Sequence, residues 1–143
     1  MEIKVKFGID NLLFGSTMEF AEKTLGKFDK KYPDEDGNIK FQYNKLKLTL
    51  TFYKEAGFKL AYIQCSSDEI TLLGEKVIGK DIESTMTFLE KNNIEDFEYE
   101  DYDTFETYTN EDNWLVLNVE YGEVNEIEIG VIINDEDEYE WQA

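Results

Sequence analysis

Apolar side chains occupy every second position in several stretches of the chain, which is the period of a half-buried β-strand. The clearest stretches are residues 46–52 and 115–119, and a glycine-containing turn follows each of them before the next strand pattern. A short aromatic strand comes before each. The predicted strands are 41–43, 46–52 and 58–65 in a first antiparallel meander, and 105–108, 115–119 and 124–133 in a second.

A short amphipathic helix is predicted ahead of each meander, because apolar side chains recur there every three to four residues. Ser16 or Thr17 can cap the first helix, and Gly26 can end it in a left-handed conformation. Asp81 is the predicted cap of the second helix, and Asn92 or Asn93 its predicted end.

The helix and the meander recur along the chain at a nearly constant spacing. Gly15 and Gly79 are 64 residues apart, and Leu48 and Leu115 are 67 apart. The sequence therefore predicts a single domain made of two repeats, about 1–68 and 69–143. The predicted fold is α+β: two tandem helix-plus-antiparallel-meander repeats, with both helices packed on one face of a broad antiparallel sheet.

The first unit resembles a known module. The matching parts are Gly15-Ser16-Thr17-Met18-Glu19, Leu25-Gly26, the aromatic strand at 41–43 and the hairpin from 48 to 63. These parts are similar to the repeat of β-lactamase inhibitory protein and of the small outer-membrane assembly lipoprotein family. The second half lacks the Leu-Gly after its helix, and the chain lacks the disulfides of the inhibitory protein. The resemblance implies a tandem α/β repeat that presents a concave sheet to another protein.

Charge is distributed very unevenly along the chain. Residues 1–91 contain all fourteen lysines and fifteen acids, a net charge of −1, whereas residues 92–143 contain eighteen acids and no basic side chain. Most of the net charge of −19 is therefore in the last 52 residues. Like charges on one surface repel each other, and their repulsion is relieved by solvent, a bound cation or a basic partner.

The composition argues against an enzyme. The chain has no histidine and no arginine, so the usual general base, zinc ligand and phosphate clamp are absent. It contains no phosphate-binding glycine loop or nucleophile elbow, and no cofactor motif. The acidic segment 34–38 fails as a calcium loop because Ile39 and Lys45 occupy the positions of the required glycine and glutamate. No catalytic residue, metal ligand or cofactor is expected, and the single cysteine, Cys65, is predicted to be a buried apolar side chain.

The charge also excludes some partners. A region of net charge −18 repels the phosphates of nucleic acids and anionic lipid headgroups, so neither nucleic acid nor membrane is an expected partner. No apolar stretch approaches the ~20 residues that a membrane-spanning helix needs. The first residues lack the pattern of a secretory signal, and one cysteine suits a reducing compartment, so a cytoplasmic location is expected. The oligomeric state stays open.

Aromatic residues are interspersed among the acids of the second half, and such mixtures are typical of protein interfaces. Strand alternation places one set of side chains on the outer face of the second meander, opposite the predicted helices, and the acidic stretch before it contributes more. Phe97, Tyr99 and Phe105 in that stretch are expected in the core. The candidate partner-binding residues are Trp114, Asn118, Glu120, Glu126, Glu128, Glu98, Glu100, Asp101, Tyr102 and Asp103.

These observations predict a non-catalytic protein inhibitor, a cytoplasmic bacterial immunity protein that blocks a basic toxin domain such as a nuclease. Small size, acidity and the lack of catalytic groups resemble immunity proteins as a class. One alternative is an acidic adaptor or scaffold domain that binds a basic cellular protein. Another is a soluble domain whose acidity serves only colloidal stability.

Overall fold

The computed structural model describes residues 1–143 and consists mainly of β-strands. Its two α-helices are α1 (Met18–Leu25) and α2 (Ile82–Lys91). The strands are β1 (Glu2–Lys4), β2 (Gly8–Ile9), β3 (Leu12–Leu13), β4 (Lys30–Pro33), β5 (Ile39–Tyr43), β6 (Leu48–Tyr53), β7 (Lys59–Cys65), β8 (Thr71–Leu72), β9 (Glu75–Lys76), β10 (Glu98–Asp101), β11 (Glu106–Asn110), β12 (Leu115–Glu120) and β13 (Glu123–Gly130). A short 3₁₀ helix, Lys54–Ala56, connects β6 to β7.

The strands form two sheets. The large sheet has eight strands in the order β10-β11-β12-β13-β7-β6-β5-β4, and all neighbouring strands in it are antiparallel. Each half of the chain contributes four consecutive strands, and the two sets meet where β13 pairs with β7. The small sheet has the order β3-β2-β1-β8-β9, and β1 and β8 are parallel.

One hydrophobic core lies between the elements of both sheets. Its cluster of 27 buried residues includes the inward side chains of β6 and β12, such as Leu50 and Leu117, together with Ile3 of β1 and Leu72 of β8. The small sheet therefore contributes to the cover over the apolar face of the large sheet. No second layer of strands or helices covers the opposite face of the large sheet, and its side chains are half-buried or exposed apart from that of Thr51.

Both helices begin where the local sequence predicts. The Thr17 side chain accepts a hydrogen bond from the Phe20 amide at the start of α1, and Asp81 accepts one from the Ser84 amide at the start of α2. These bonds satisfy backbone N–H groups that have no partner within the helix. Gly26 ends α1 with a positive φ of 88°, although its ψ of −172° is not left-handed helical.

The predicted α+β fold, with two helices forming the layer over one broad sheet, is wrong. Strands account for 41% of the residues and helices for 15%, and five strands form a second sheet that was not predicted. The reason is physical. Four of the five strands in the small sheet have only two residues, too few to show alternation, and β1 pairs with β8 across about 70 residues of sequence.

Candidate functional site

The outer face of the large sheet, which we call the open face, presents polar side chains in register across all eight strands. Strand alternation separates this face from the core, since Leu115, Leu117 and Val119 are fully buried while Val116 and Asn118 between them are half-buried. One row of register partners on the open face reads Glu98, Thr109, Val116, Glu128, Gln64, Thr49, Gln42 and Lys30. At about 4.8 Å per strand this row is about 34 Å long.

Carboxylates are concentrated at the second-half end of the open face. We call five of the acids there the acidic face. They lie on β10, β12 and β13, whereas β4 and β5 at the other end of the sheet present lysines. The acidic face consists of Glu98, Glu100, Glu120, Glu126 and Glu128.

Two of these carboxylates share a hydrogen-bonded network. Glu126 and Glu128 are two residues apart on β13 and point to the same face, and the Asn118 Nδ2 group donates to Glu126 at 3.1 Å and to Glu128 at 2.5 Å. The Tyr62 hydroxyl donates to Glu128 at 2.6 Å. Amide and phenol donors thus hold the two negative side chains next to each other without a salt bridge.

The environment of this pair favours proton uptake. Burial raises the pKa of the Glu126 carboxyl to about 7, and the charge of Glu128 acts in the same direction, while Gln64 and Lys40 oppose the shift. Glu126 therefore holds a proton for part of the time at neutral pH. A cation placed beside the pair would favour the fully ionised form, because it would compensate the second negative charge.

None of the eighteen acids after Asn92 forms a salt bridge. The chain has two salt bridges, Lys27–Glu22 and Lys76–Glu69, and both lie in the first 91 residues. Several acids accept hydrogen bonds from tyrosine hydroxyls instead, as Glu106 does from Tyr99. The acids of the second half are thus left without a salt-bridged cation from this chain.

The remaining predicted partner-binding residues lie outside the acidic face. Asp101 pairs with Glu106 on edge strand β10 and faces the side of the sheet opposite the open face. Tyr102 and Asp103 form the turn between β10 and β11, where the Tyr102 ring stacks on Phe105 at 4.9 Å. Trp114 lies in the turn before β12. The structure thus brings seven of the ten residues to the open face, the five acids with Asn118 and the indole of Trp114, and places the other three behind it or in the turn at its edge.

Aromatic side chains of the second half are more exposed than the sequence suggested. Tyr99 is 51% exposed and Phe105 is 36% exposed, so the expectation that they lie in the core is wrong. Phe97 is half-buried against the core. The difference arises because β10 is an edge strand with all four residues exposed.

Trp114 forms one wall of an apolar pocket that the sequence analysis missed. Its indole ring lies against Gly130, where a Cβ atom would come within 2.1 Å of the Trp114 Cδ1 atom. The pocket has a volume of about 290 Å³. Gly130 is the signal that would have revealed it, since a glycine inside a strand often marks the close approach of another group. The lining residues are Tyr53, Glu111, Trp114, Gly130, Val131, Ile132 and Ile133.

Three further observations concern Cys65, the acidic segment 34–38 and the helices. Cys65 is buried and free, as expected, and burial raises its pKa to about 12. The segment 34–38 is a turn between β4 and β5 in which Asp34 accepts hydrogen bonds from the amides of Asp36 and Asn38. No helix of the protein has the length and the apolar character needed to cross a bilayer.

No family profile and no curated protein matches this chain. Among solved structures, the chain is similar to an extracellular protein containing a SCP domain from Bacillus anthracis, with a TM-score of 0.52 and 11% sequence identity. The similarity covers 80% of this chain and 43% of the other protein, so this chain spans less than half the length of that protein. At this identity the likeness concerns the fold alone.

Proposed function

We propose that this protein is a non-catalytic inhibitor that binds a cationic protein through the acidic face. Within this class we propose a cytoplasmic bacterial immunity protein whose partner is a basic toxin domain, such as a nuclease. A nuclease site is basic because it holds phosphates, and an ordered array of carboxylates can occupy such a site in place of nucleic acid.

The lack of salt bridges to the eighteen acids after Asn92 carries this proposal. A domain that used its acids only to remain soluble would gain stability by placing its lysines among them, because this would reduce the repulsion between like charges. Here the lysines lie in the other half of the chain, and the strands that carry five of the acids are held in register. A rigid array loses little conformational entropy when a partner binds, which favours affinity.

The test compares two variants with equal net charge. The acidic-face variant carries Glu98→Lys, Glu100→Lys and Glu120→Lys, and all three positions are exposed. The matched control carries Glu19→Lys, Glu75→Lys and Glu90→Lys, exposed residues away from the open face that form no salt bridge. Each variant changes the net charge from −19 to −13.

The protein encoded next to this gene is co-expressed with wild type and with each variant, and cell growth and complex formation are measured. We expect wild type and the control to bind it and to restore growth. The acidic-face variant should associate at least about tenfold more slowly at low salt. A neighbouring protein that is not toxic would refute the immunity role. A partner that binds both variants equally well would refute the acidic face as the binding surface.

A further inference from the structure

The apolar pocket beside Trp114 is a second, chemically different part of the molecular surface. Trp114 is 40% exposed and Ile133 is 54% exposed, so its walls leave apolar area in contact with water. Its volume of about 290 Å³ is at the small end of ligand sites, which span ~300–1,000 Å³. This size suits one large side chain of a protein partner better than a cofactor.

The pocket exists because of two local features of the backbone. Gly130 ends β13 and has no side chain, so the indole of Trp114 can lie directly against the strand. Trp114 itself has a positive φ of 46°, which turns the chain sharply into β12. The pocket therefore lies at the ends of β6 and β13, and the turn before β12 and the segment after β13 complete its walls.

Acidic segments flank the pocket on two sides. The turn before Trp114 contains Glu111, which lines the pocket, and Asp112. Beyond Ile133, the chain makes a loop of four consecutive acids, 135–138, and returns to pair Tyr139 with Ile133. No lysine lines the pocket, and Lys40 and Lys54 line an adjoining cavity that shares only Tyr53 with it.

The pocket is also continuous with the acidic face. Gly130 follows Glu128 by two residues on β13, and both belong to the open face. The Tyr62 residue that donates to Glu128 pairs with Gly130 on the neighbouring strand. A partner segment lying along β13 would thus contact the carboxylates of the acidic face and the pocket together.

We propose that the Trp114 pocket anchors a large apolar side chain of the partner, flanked in the partner's sequence by lysine or arginine. This inference rests on the proposed function and gives it specificity. Charge alone draws many basic proteins to an acidic surface, whereas a desolvated apolar anchor selects among them, since buried aromatic and aliphatic contacts carry much of the affinity of an interface.

The experiment uses three five-residue peptides, Lys-Lys-Leu-Lys-Lys, Lys-Lys-Ala-Lys-Lys and Glu-Glu-Leu-Glu-Glu, with blocked ends. The protein carries Trp141→Phe, so that Trp114 is its only tryptophan and its fluorescence reports on the pocket. If that variant does not fold, calorimetric titration of the wild type replaces fluorescence. We expect the lysine–leucine peptide to bind about tenfold more tightly than the lysine–alanine peptide, and the glutamate peptide not to bind.

Two surface variants test whether the preference for the leucine peptide arises in the pocket. Ile133→Ser removes an exposed wall of the pocket and should reduce the tenfold preference for leucine to about twofold or less. Leu73→Ser is the matched control, because Leu73 is 42% exposed and belongs to the turn between β8 and β9, outside the pocket. The preference should be unchanged in the control.

Each other outcome contradicts the pocket, the acidic face or the need for a basic partner segment. Equal binding of the two lysine peptides would overturn the pocket and leave the acidic face intact. Binding of the glutamate peptide would overturn the requirement for a basic partner segment. Failure of both lysine peptides to bind at millimolar concentration would count against the acidic face and the pocket together, and an unchanged leucine preference in Ile133→Ser would place the apolar site elsewhere.

Discussion

Replacing Glu126 by glutamine should stabilise the protein at alkaline pH and much less at acidic pH. The Glu126 carboxyl has a pKa of about 7 in the folded protein, compared with an ordinary value of 4.5, because it is partly buried and lies next to Glu128. The folded state therefore binds more protons than the unfolded state between these two values, and this carboxyl makes stability fall as the pH rises through that window. Glutamine keeps an oxygen that can accept from Asn118 and never ionises.

The size of the effect follows from the same two values. The interval between 4.5 and about 7 corresponds to about 3 kcal/mol if solvent did not screen the charge. Because the Glu126 side chain is half-buried, water and counterions weaken the penalty, and we expect about 1 kcal/mol. This gain should be complete above about pH 8 and nearly absent at about pH 4.

The assay is urea unfolding of wild type and Glu126→Gln at about pH 5 and about pH 8.5, followed by circular dichroism and tryptophan fluorescence. Glu120→Gln is the matched control, since Glu120 is an exposed glutamate at the end of β12 on the same open face. It should change stability equally at both pH values. A difference between wild type and Glu126→Gln that stays constant with pH, or is larger at low pH, would refute the assignment of the proton to this pair.

Three further predictions concern the pocket, the core and the cysteine. Gly130→Ala should cost about 1–3 kcal/mol in thermal unfolding and expose Trp114 to fluorescence quenchers, because the new methyl group would overlap the indole; unchanged quenching would contradict the packing. Leu50→Ala, in the centre of β6, should cost about 2–5 kcal/mol in urea unfolding, and a cost below about 1 kcal/mol would show that Leu50 is not fully packed. The buried Cys65 thiol, with its pKa raised to about 12, should not react with a disulfide reagent at pH 8 until the protein unfolds; rapid labelling of the native protein would disprove its burial.

Local patterns in the sequence were sufficient for the helices and for the central strands of the large sheet. Alternation gave the correct orientation of β12, whose Leu115 and Leu117 are buried. The cap Asp81 was identified from its side chain alone, and Thr17 was one of two candidates for the other helix. These signals are local, since a strand period or a cap involves only a few neighbouring residues.

Elements held mainly by backbone pairing with another strand were not predictable in this way. The small sheet depends on the pairing of β1 with β8, and edge strand β10 has no buried side chain to produce alternation. β4 likewise reads Lys-Lys-Tyr-Pro and is a strand because β5 supplies its hydrogen bonds. In each case backbone pairing, which the side-chain pattern does not encode, decides the structure.

In the candidate site, too, local patterns predicted the orientation of side chains but not the contacts between residues far apart in sequence. Alternation along β13 placed Glu126 and Glu128 on the outer face, and this placement is confirmed. The hydrogen bond from Tyr62 to Glu128 was not foreseen, because the two residues are 66 positions apart in sequence. The Trp114 pocket was missed for a similar reason, since Tyr53 and Ile133 meet only in the folded chain.

The pairing of β7 with β13 has a consequence for the order of folding. This pairing joins residues 62–68 positions apart, such as Cys65 with Ile127 and Tyr62 with Gly130, whereas the other pairs of the large sheet join strands that are consecutive in the chain. Closing so long a loop is entropically costly, so we expect each four-stranded meander to form first and the central pairing to limit the folding rate. During synthesis β7 would emerge with its outer backbone groups unpaired and its apolar side chains poorly covered, an edge prone to aggregation. The acidic half of the chain, made after β7, is the part that covers that edge.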